Sequence, residues 1–516
     1  LATTSKRTGG DAAFDLAEAA FRDADYVGAR RLLQIAGSRG RAAAGTAALL
    51  EAQIARIEGD VEAWFAAADR AHADHPNPAG RLEALGLRAL AGQRFGAAKE
   101  ARRDIERLEA AALREPSGTL GMPTYYLAYD ACLRGAYDDA QNLLERNVAA
   151  GASVALSLAL LGRVEVRRDR YKHAGQLFFE AIKRNRQTGE NDVRLQCKLL
   201  AGASAIASET LDLPLGRKLR RLYEEVNWPT ALAQDRFDTL SSLRLLCLLE
   251  GDVPGAWLFS RECAVRAPSA AHRAIAETNL AAVSRHMGDA AAARFGFERA
   301  WETLRKERWG GADARARRAL ANFATEAASD FPAEARQAMA LYDSLSERAG
   351  AAERNDEDRL IVACEEMASA RVAEALGDDD RAVRSYERSL AGWNFLHFDM
   401  RAAMVTLDLA RITRDARYRI AIEPVLGRAP KAWFVHRAPA SIELLPAITP
   451  AEKLVLASLL EGKSARAIAQ DLNRSVHTIN NHTRKIFKAF GVTSRAAVLA
   501  RCATLGITPS QVRRGA

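Results

Sequence analysis

Gly135-Ala136-Tyr137-Asp138-Asp139-Ala140 and, further along, Asp169-Arg170-Tyr171-Lys172-His173-Ala174 share one pattern: Gly or Asp, a short polar stretch, and Ala five positions after the first residue. The unit recurs as Gly92 with Ala97, Gly251 with Ala256, Gly288-Asp289 with Ala293, Asp330 with Ala335, and Gly377-Asp378 with Ala382. Ala24 to Ala29 has the same shape, and Gly59-Asp60 with Ala63 is a one-residue variant. A tight helix-to-helix turn explains the pattern. Gly or Asp ends one helix or caps the next, and a small Ala lets the second helix lie close to its neighbour. Four residues beyond that Ala, on the same helical face, stand Phe178, Phe297 and Tyr386, placed to fill the gap between adjacent pairs.

Steps of 33 (Gly59 to Gly92), 34 (Ala140 to Ala174) and 37 (Ala256 to Ala293) suit a helix-turn-helix repeat. The interval from Ala174 to Ala256 holds two units, the first poorly marked around Leu211 to Leu222. Alanine-rich stretches, few β-branched runs, 48% apolar and 27% charged residues make the 516-residue chain globular and all-α. The arrangement resembles the tetratricopeptide family. The resemblance implies an α-solenoid with a long inner groove, a place for a peptide, a protein or a small-molecule effector. Trp228, Trp257, Trp301, Trp309 and Trp393 are candidates to line it, though core positions suit each of them better.

The expected organisation is a flexible N-terminus over 1–10, the repeat region over 11–426, a connector over 427–444 and a terminal domain over 445–516. The connector is marked by Pro430, Pro439, Pro446 and Pro450, which interrupt helix. Its Trp433, Phe434 and Val435 are expected to pin it to one of its neighbours.

Chemistry is scarce in the repeat region. The six cysteines are dispersed and form no close pair of the zinc or redox kind. His72 and His75 lie three apart but are followed at once by Pro76 and Pro78, with no third strong ligand. Neither a Gly-x-x-x-x-Gly-Lys-Ser/Thr phosphate loop nor a Gly-x-Ser-x-Gly nucleophile string occurs. The expectation is a non-enzymatic protein without cofactor or metal. With no apolar stretch of bilayer length and no export core after Leu1 to Arg7, it is expected in the cytoplasm and off the membrane.

The charge sits at the other end. From Ser441 to Ala516 there are eleven Lys or Arg against four Asp or Glu, so +7 of the chain's +9 lies in this last segment. A concentrated basic surface attracts a polyanion. The same segment is patterned as four helices. Thr449 and Glu452 form a capping box, with Pro450 at the first helical position, ahead of Leu454, Val455, Leu456, Leu459 and Leu460, and Gly462 stops that helix. Ser464 caps a second helix with Ile468, Ala469 and Leu472 inward, and Asn473-Arg474 makes the turn. Ser475 caps a third helix with Val476, Ile479, Ile486 and Phe490 inward, ended by Gly491. Its outward face carries His477, Thr478, Asn480, Asn481, Arg484, Lys485 and Lys488. Asn pairs with adenine, Arg reads guanine and Lys holds phosphate. Ser494 caps a fourth helix from Arg495 to Thr504.

Residues Leu445 to Thr504 look like the LuxR/GerE-type helix-turn-helix domain of bacterial response regulators. Thr449, Glu452, Val455-Leu456, Gly462, Ser464, Ile468-Ala469, Leu472, Ser475, Thr478-Ile479, His482, Ile486, Gly491-Val492, Arg495 and Ala497-Val498 carry the match. The resemblance implies that the third helix reads double-stranded DNA, with Ser475, His482 and their neighbours at the interface. It also implies a homodimer contact on the fourth helix, through Arg495, Ala497, Val498 and Arg501. Asn480 and Ala489 stand where the family usually has Lys, which points to modest affinity in the isolated domain. The chain is thus expected to be a transcriptional regulator controlled through its repeats. The alternative is an interaction scaffold whose terminal domain serves dimerisation or docking.

Overall fold

The computed structural model describes residues 9–36, 41–94, 97–114, 120–187, 192–229, 232–309, 314–349, 356–413, 415–434 and 448–504, together with 509 and 512. Among them every regular element is a helix, and twenty-two described helices precede Ala429. They begin with α1 (Gly9–Arg22), α2 (Tyr26–Ala36), α3 (Arg41–Glu58), α4 (Val61–Asp74), α5 (Pro78–Arg94) and α6 (Ala98–Arg114). Next come α7 (Met122–Leu133), α8 (Tyr137–Ala149), α9 (Val154–Arg167), α10 (Tyr171–Gln187), α11 (Val193–Glu209) and α12 (Leu213–Glu225). Then follow α13 (Ala233–Glu250), α14 (Val253–Val265), α15 (Ala270–His286), α16 (Ala290–Lys306), α17 (Ala314–Ala327) and α18 (Pro332–Ala349). The last four are α19 (Asp356–Ala375), α20 (Asp379–Phe395), α21 (Asp399–Thr413) and α22 (Ala416–Arg428). Two compact units divide the chain, one built from the described residues up to Leu243 with Arg266–Pro268, the other from Arg244–Val265 and the described residues from Ser269 onward.

The turn inside most pairs follows one recipe. A single residue takes the left-handed conformation: Ala24, Gly59, Gly135, Asp169, Leu211, Gly251, Gly288 or Gly377, with φ between 58° and 82°. This closes the preceding helix as a C-cap. The next residue is often Asp, whose carboxylate accepts a free amide in the first turn of the following helix. Asp60 accepts from Ala63 at 3.1 Å, Asp212 from Leu215 at 3.0 Å, Asp289 from Ala292 at 2.9 Å and Asp378 from Arg381 at 3.1 Å.

The residue four past the cap is buried and small. Ala29, Ala140, Ala174, Ala256, Ala293, Ala335 and Ala382 are each at most 4% exposed. Two units depart from the expected alignment. After Gly59 the buried position holds Trp64, while Ala63 is half-buried. Gly92 is no turn residue: it lies inside α5, where a side chain would press on Ala101, and Ala101 is the small buried residue of that pair. The spacing of 33 therefore joined a turn to a helix interior. The poorly marked unit is a regular pair, α11 with α12, and Gly216 takes the place of Ala there.

The aromatics past the small residue do fill gaps. Phe178 of α10 packs on Gly162 of α9 and Gly202 of α11, where its ring leaves little room for a Cβ. Phe297 meets the rings of Phe323 at 6.4 Å and Phe331 at 5.9 Å, within a core of α15 to α19 side chains. Tyr386 is fully buried, and its hydroxyl donates to Glu374 at 2.9 Å. The tryptophans are structural: Trp393 is 1% exposed, and Trp228, Trp301 and Trp309 pack partly buried against apolar clusters. Trp257 lies half-buried under the Arg261 guanidinium.

Cys197, Cys247, Cys263 and Cys502 are buried, and burial pushes the Cys197 thiol up to about 12 and the Cys502 thiol up to about 11. His72 and His75 bond to the main-chain carbonyls of Arg81 and Asn77. Among the described residues no cluster of metal-ligating side chains forms, and no helix is long and apolar enough to cross a membrane.

At the end of the repeats, α22 continues to Arg428, so Gly427 and Arg428 are helical rather than part of the connector. Trp433 and Phe434 are 8% and 2% exposed, with ring centroids 4.9 Å apart. They line small cavities beside Met400 and Met404 of α21, so the connector is pinned to the repeats. Val435, His436, Pro439 and Pro446 lie outside the described residues, as do residues 1–8 of the N-terminus.

Candidate nucleic-acid interface

The terminal domain is built from α23 (Pro450–Leu460), α24 (Ala465–Asp471), α25 (Val476–Phe490) and α26 (Arg495–Thr504). The capping box closes as its spacing predicts. The Thr449 amide donates to Glu452 Oε2 at 2.8 Å, and the Glu452 amide donates to Thr449 Oγ1 at 3.3 Å. Glu452 is only 5% exposed. Burial works against its charge, but the Thr449 hydrogen bonds, helped by Lys485 and His482, hold the carboxyl below the usual carboxylate range.

Helix α24 is capped by Ser464, and Asn473 in the left-handed conformation (φ 49°) makes the turn. Asn tolerates that region better than most residues. Ser475 then caps α25: its hydroxyl oxygen accepts the Thr478 amide at 3.1 Å and lies 2.8 Å from the Thr478 hydroxyl. Gly491 (φ 66°) ends α25, with Val492 donating back to the Phe487 carbonyl at 2.9 Å. One apolar core joins Val455, Leu456 and Leu459 of α23, Ile468 and Ala469 of α24, Ile479, Ile486 and Phe490 of α25, and Val498 and Cys502 of α26.

Around α25 the polar and apolar residues separate cleanly. At 100° per residue, His477, Asn481, Arg484 and Lys488 fall on one stripe opposite Ile479, Ile486 and Phe490, with Asn480 and Lys485 flanking it. All six polar residues are exposed, and the helix contains no Asp or Glu. Fifteen residues give a rod of about 22 Å, enough to lie along a major groove. The repeats meet α25 at its C-terminal end, where Ile420 of α22 lies 3.8 Å from the position a Gly491 side chain would take. Among the described residues nothing buries the stripe.

Thr478 and His482 are half-buried. His482 Nδ1 lies 3.7 Å from Glu452 Oε1, so this side chain faces the start of α23. Ser475 is exposed but committed to its cap. Val476, expected in the core, is 41% exposed, because it lies outside the arc formed by Ile479, Ile486 and Phe490. Two exposed cations were missed, Arg466 on α24 and Arg474 in the turn. Both are legible in the sequence as basic residues in the two elements that precede α25.

The fourth helix needs a correction. Val498 is fully buried in the domain's own core, which removes it as a contact between protomers, and Arg495, Ala497 and Arg501 are only half-exposed. Arg495 donates to the Leu459 carbonyl at 3.4 Å. The outward side of α26 carries Ala496 and Ala500 instead.

Residues 446–502 match the model of the family described as bacterial regulatory proteins, luxR family. No curated protein matches the chain. Among solved structures, the chain is similar to the apo form of RapI at 13% identity and a TM-score of 0.48, over 67% of this chain and 97% of that one. It is also similar to the apo form of the quorum sensor NprR from B. thuringiensis at 13% identity and a TM-score of 0.37, over 74% of this chain and 98% of that one.

Proposed function

We propose that this chain is a sequence-specific DNA-binding transcriptional regulator whose terminal luxR-family domain lays α25 in the major groove. The observation that carries this reading is the exposed stripe of His477, Asn481, Arg484 and Lys488 on a helix without acidic residues. Asn480 and Asn481 suit adenine and Arg484 suits guanine, while Lys485, Lys488, Arg466 and Arg474 suit the flanking phosphates. Val476, exposed beside His477 at the N-terminal end, offers methyl groups to thymine.

A homodimer through the outer side of α26 would place two such helices on two half-sites and offset the missing Lys at Asn480 and Ala489. The repeat region is the sensing part, taking a protein, peptide or small molecule. The connector supports that role, since Trp433 and Phe434 dock on α21 only a short way before the DNA-binding domain.

Selection from a pool of randomised duplexes with the full-length protein tests this. A regulator enriches one shared sequence, with two related halves if it binds as a dimer. A scaffold enriches none.

A further inference from the structure

The first unit curls back on itself. Helices α3, α5, α7 and α9 adjoin in turn, and the start of the row meets its far side. Phe21, Tyr26, Leu50 and Ile54 of α1 to α3 share one apolar core with Cys197 of α11 and with Leu232, and the Arg194 guanidinium lies 5.1 Å over the Phe21 ring. The curl gathers Arg56 of α3, Tyr125 of α7, Arg163 of α9, and Arg194 with Lys198 of α11 around one inner face.

Cations crowd there. Lys198 and Arg163 are exposed and Arg56 is half-buried. Yet burial holds the Lys198 ammonium below the ordinary lysine range, so solvent reaches this side chain inside a concavity. Asp235 of α13 pulls that ammonium the other way, while Arg194, Arg163 and Arg56 push it further down. Burial pushes the Tyr125 hydroxyl up, and the same three guanidiniums act against that rise. Arg194 is held by Asp192 at 3.1 Å, but among the described residues Arg56, Arg163 and Lys198 make no ion pair. Near Arg56 stands Glu83 of α5, which accepts from Gln53 at 2.9 Å and whose carboxyl burial pushes up to about 7. Arg56, Arg163, Arg194 and Lys198 thus outnumber Asp192, Asp235 and Asp238, with Glu83 partly protonated near neutral pH.

These features call for an anion. Clustered cations without ion-pair partners focus a positive field in a walled space, and an oxyanion among them relieves their mutual repulsion. The donors come from four helices: two planar guanidinium forks, an ammonium and a phenol hydroxyl. Spread over so many directions, they suit the three free oxygens of a phosphate group, whereas the two oxygens of a carboxylate leave some of them unused.

We propose that the inner face of the first unit binds the phosphate group of a small phosphorylated effector through Arg56, Arg163, Lys198 and the Tyr125 hydroxyl. This names a class for the effector, and rests on the reading of the repeats as the sensing part of a regulator.

Calorimetric titration of the full chain with inorganic phosphate and inorganic pyrophosphate tests it, with acetate at the same ionic strength as the carboxylate control. The expected result is saturable binding of a phosphate probe and none of acetate. Arg163→Gln and Lys198→Gln change exposed side chains, so the fold is expected to hold, and each is expected to weaken phosphate binding about tenfold or more. Lys172→Gln, exposed on α10, the second helix of its pair, is expected to leave it unchanged. No saturable heat from either phosphate probe, equal binding of acetate, full binding by either inner-face variant, or an equal loss in Lys172→Gln would overturn the proposal. Affinity for a selected duplex is measured on the same protein. Duplex binding without phosphate binding sinks this site alone, whereas phosphate binding that needs Arg163 and Lys198, without any sequence-selective duplex binding, supports the site and sinks the regulator.

Discussion

Glu452 shows how one side chain ties two helices of the terminal domain together. It closes the capping box of α23 and faces His482 and Lys485 of α25. Replacing it with Ala is expected to cost about 1 kcal/mol, the worth of a helix cap, read as faster hydrogen exchange of the Thr449 amide, which donates to its carboxylate. The pH dependence has a definite sign. A carboxyl whose folded pKa is depressed contributes stability that is full above its ordinary value of 4.5 and is lost as pH falls through the lower folded value. Protection of the α23 N-terminus is therefore expected to fade below pH 4.5 in the native chain and to be pH-independent there in Glu452→Gln. The cap was legible from Thr449-Pro450-Ala451-Glu452 because its spacing is local. Val476 was misread for the opposite reason: an apolar residue at the first position of a helix satisfies the core pattern on paper, while its angle around the axis exposes it.

At the scale of the element, the repeat is written as a left-handed residue, an N-cap and a small side chain four positions later. Gly288, Asp289 and Ala293 form one complete instance. Ala293→Leu adds bulk at a site 4% exposed and is expected to destabilise the second unit by about 1–3 kcal/mol. Ala63→Leu, at the half-buried position of the exceptional unit, is expected to change stability by no more than about 0.5 kcal/mol. Denaturant unfolding of the two variants separates the cases, and equal losses would show that the buried Ala is not the packing element. The recipe was readable wherever Gly or Asp stood at the turn. It slipped at Gly92, where a glycine needed for close approach to Ala101 imitates one needed for a turn, and it faded at Leu211 and Gly216, where the two roles are filled by unusual residues.

For the whole molecule, the decisive asymmetry is that +7 of a net +9 lies in the last 76 residues. With Lys485, Lys488, Arg466 and Arg474 proposed near phosphates, the logarithm of affinity is expected to fall with the logarithm of salt at a slope of about −3 to −4 per domain. That asymmetry and the helix-turn-helix pattern were legible because their residues are contiguous. The inner face of the first unit was not, since Arg56, Tyr125, Arg163 and Lys198 stand on four helices and only folding gathers them. On α26 the apolar pattern marks Val498, but the inner side of the helix claims it.

The most direct measurement is a salt-controlled titration of a selected duplex with the full-length protein, its Asn481→Ala form and its Lys488→Ala form. The account predicts that Asn481→Ala costs about 1–3 kcal/mol on the selected sequence and little on random duplex, while Lys488→Ala weakens both and lowers the salt slope by about one. Unchanged affinity and slope in both variants would contradict the placement of α25 in the groove.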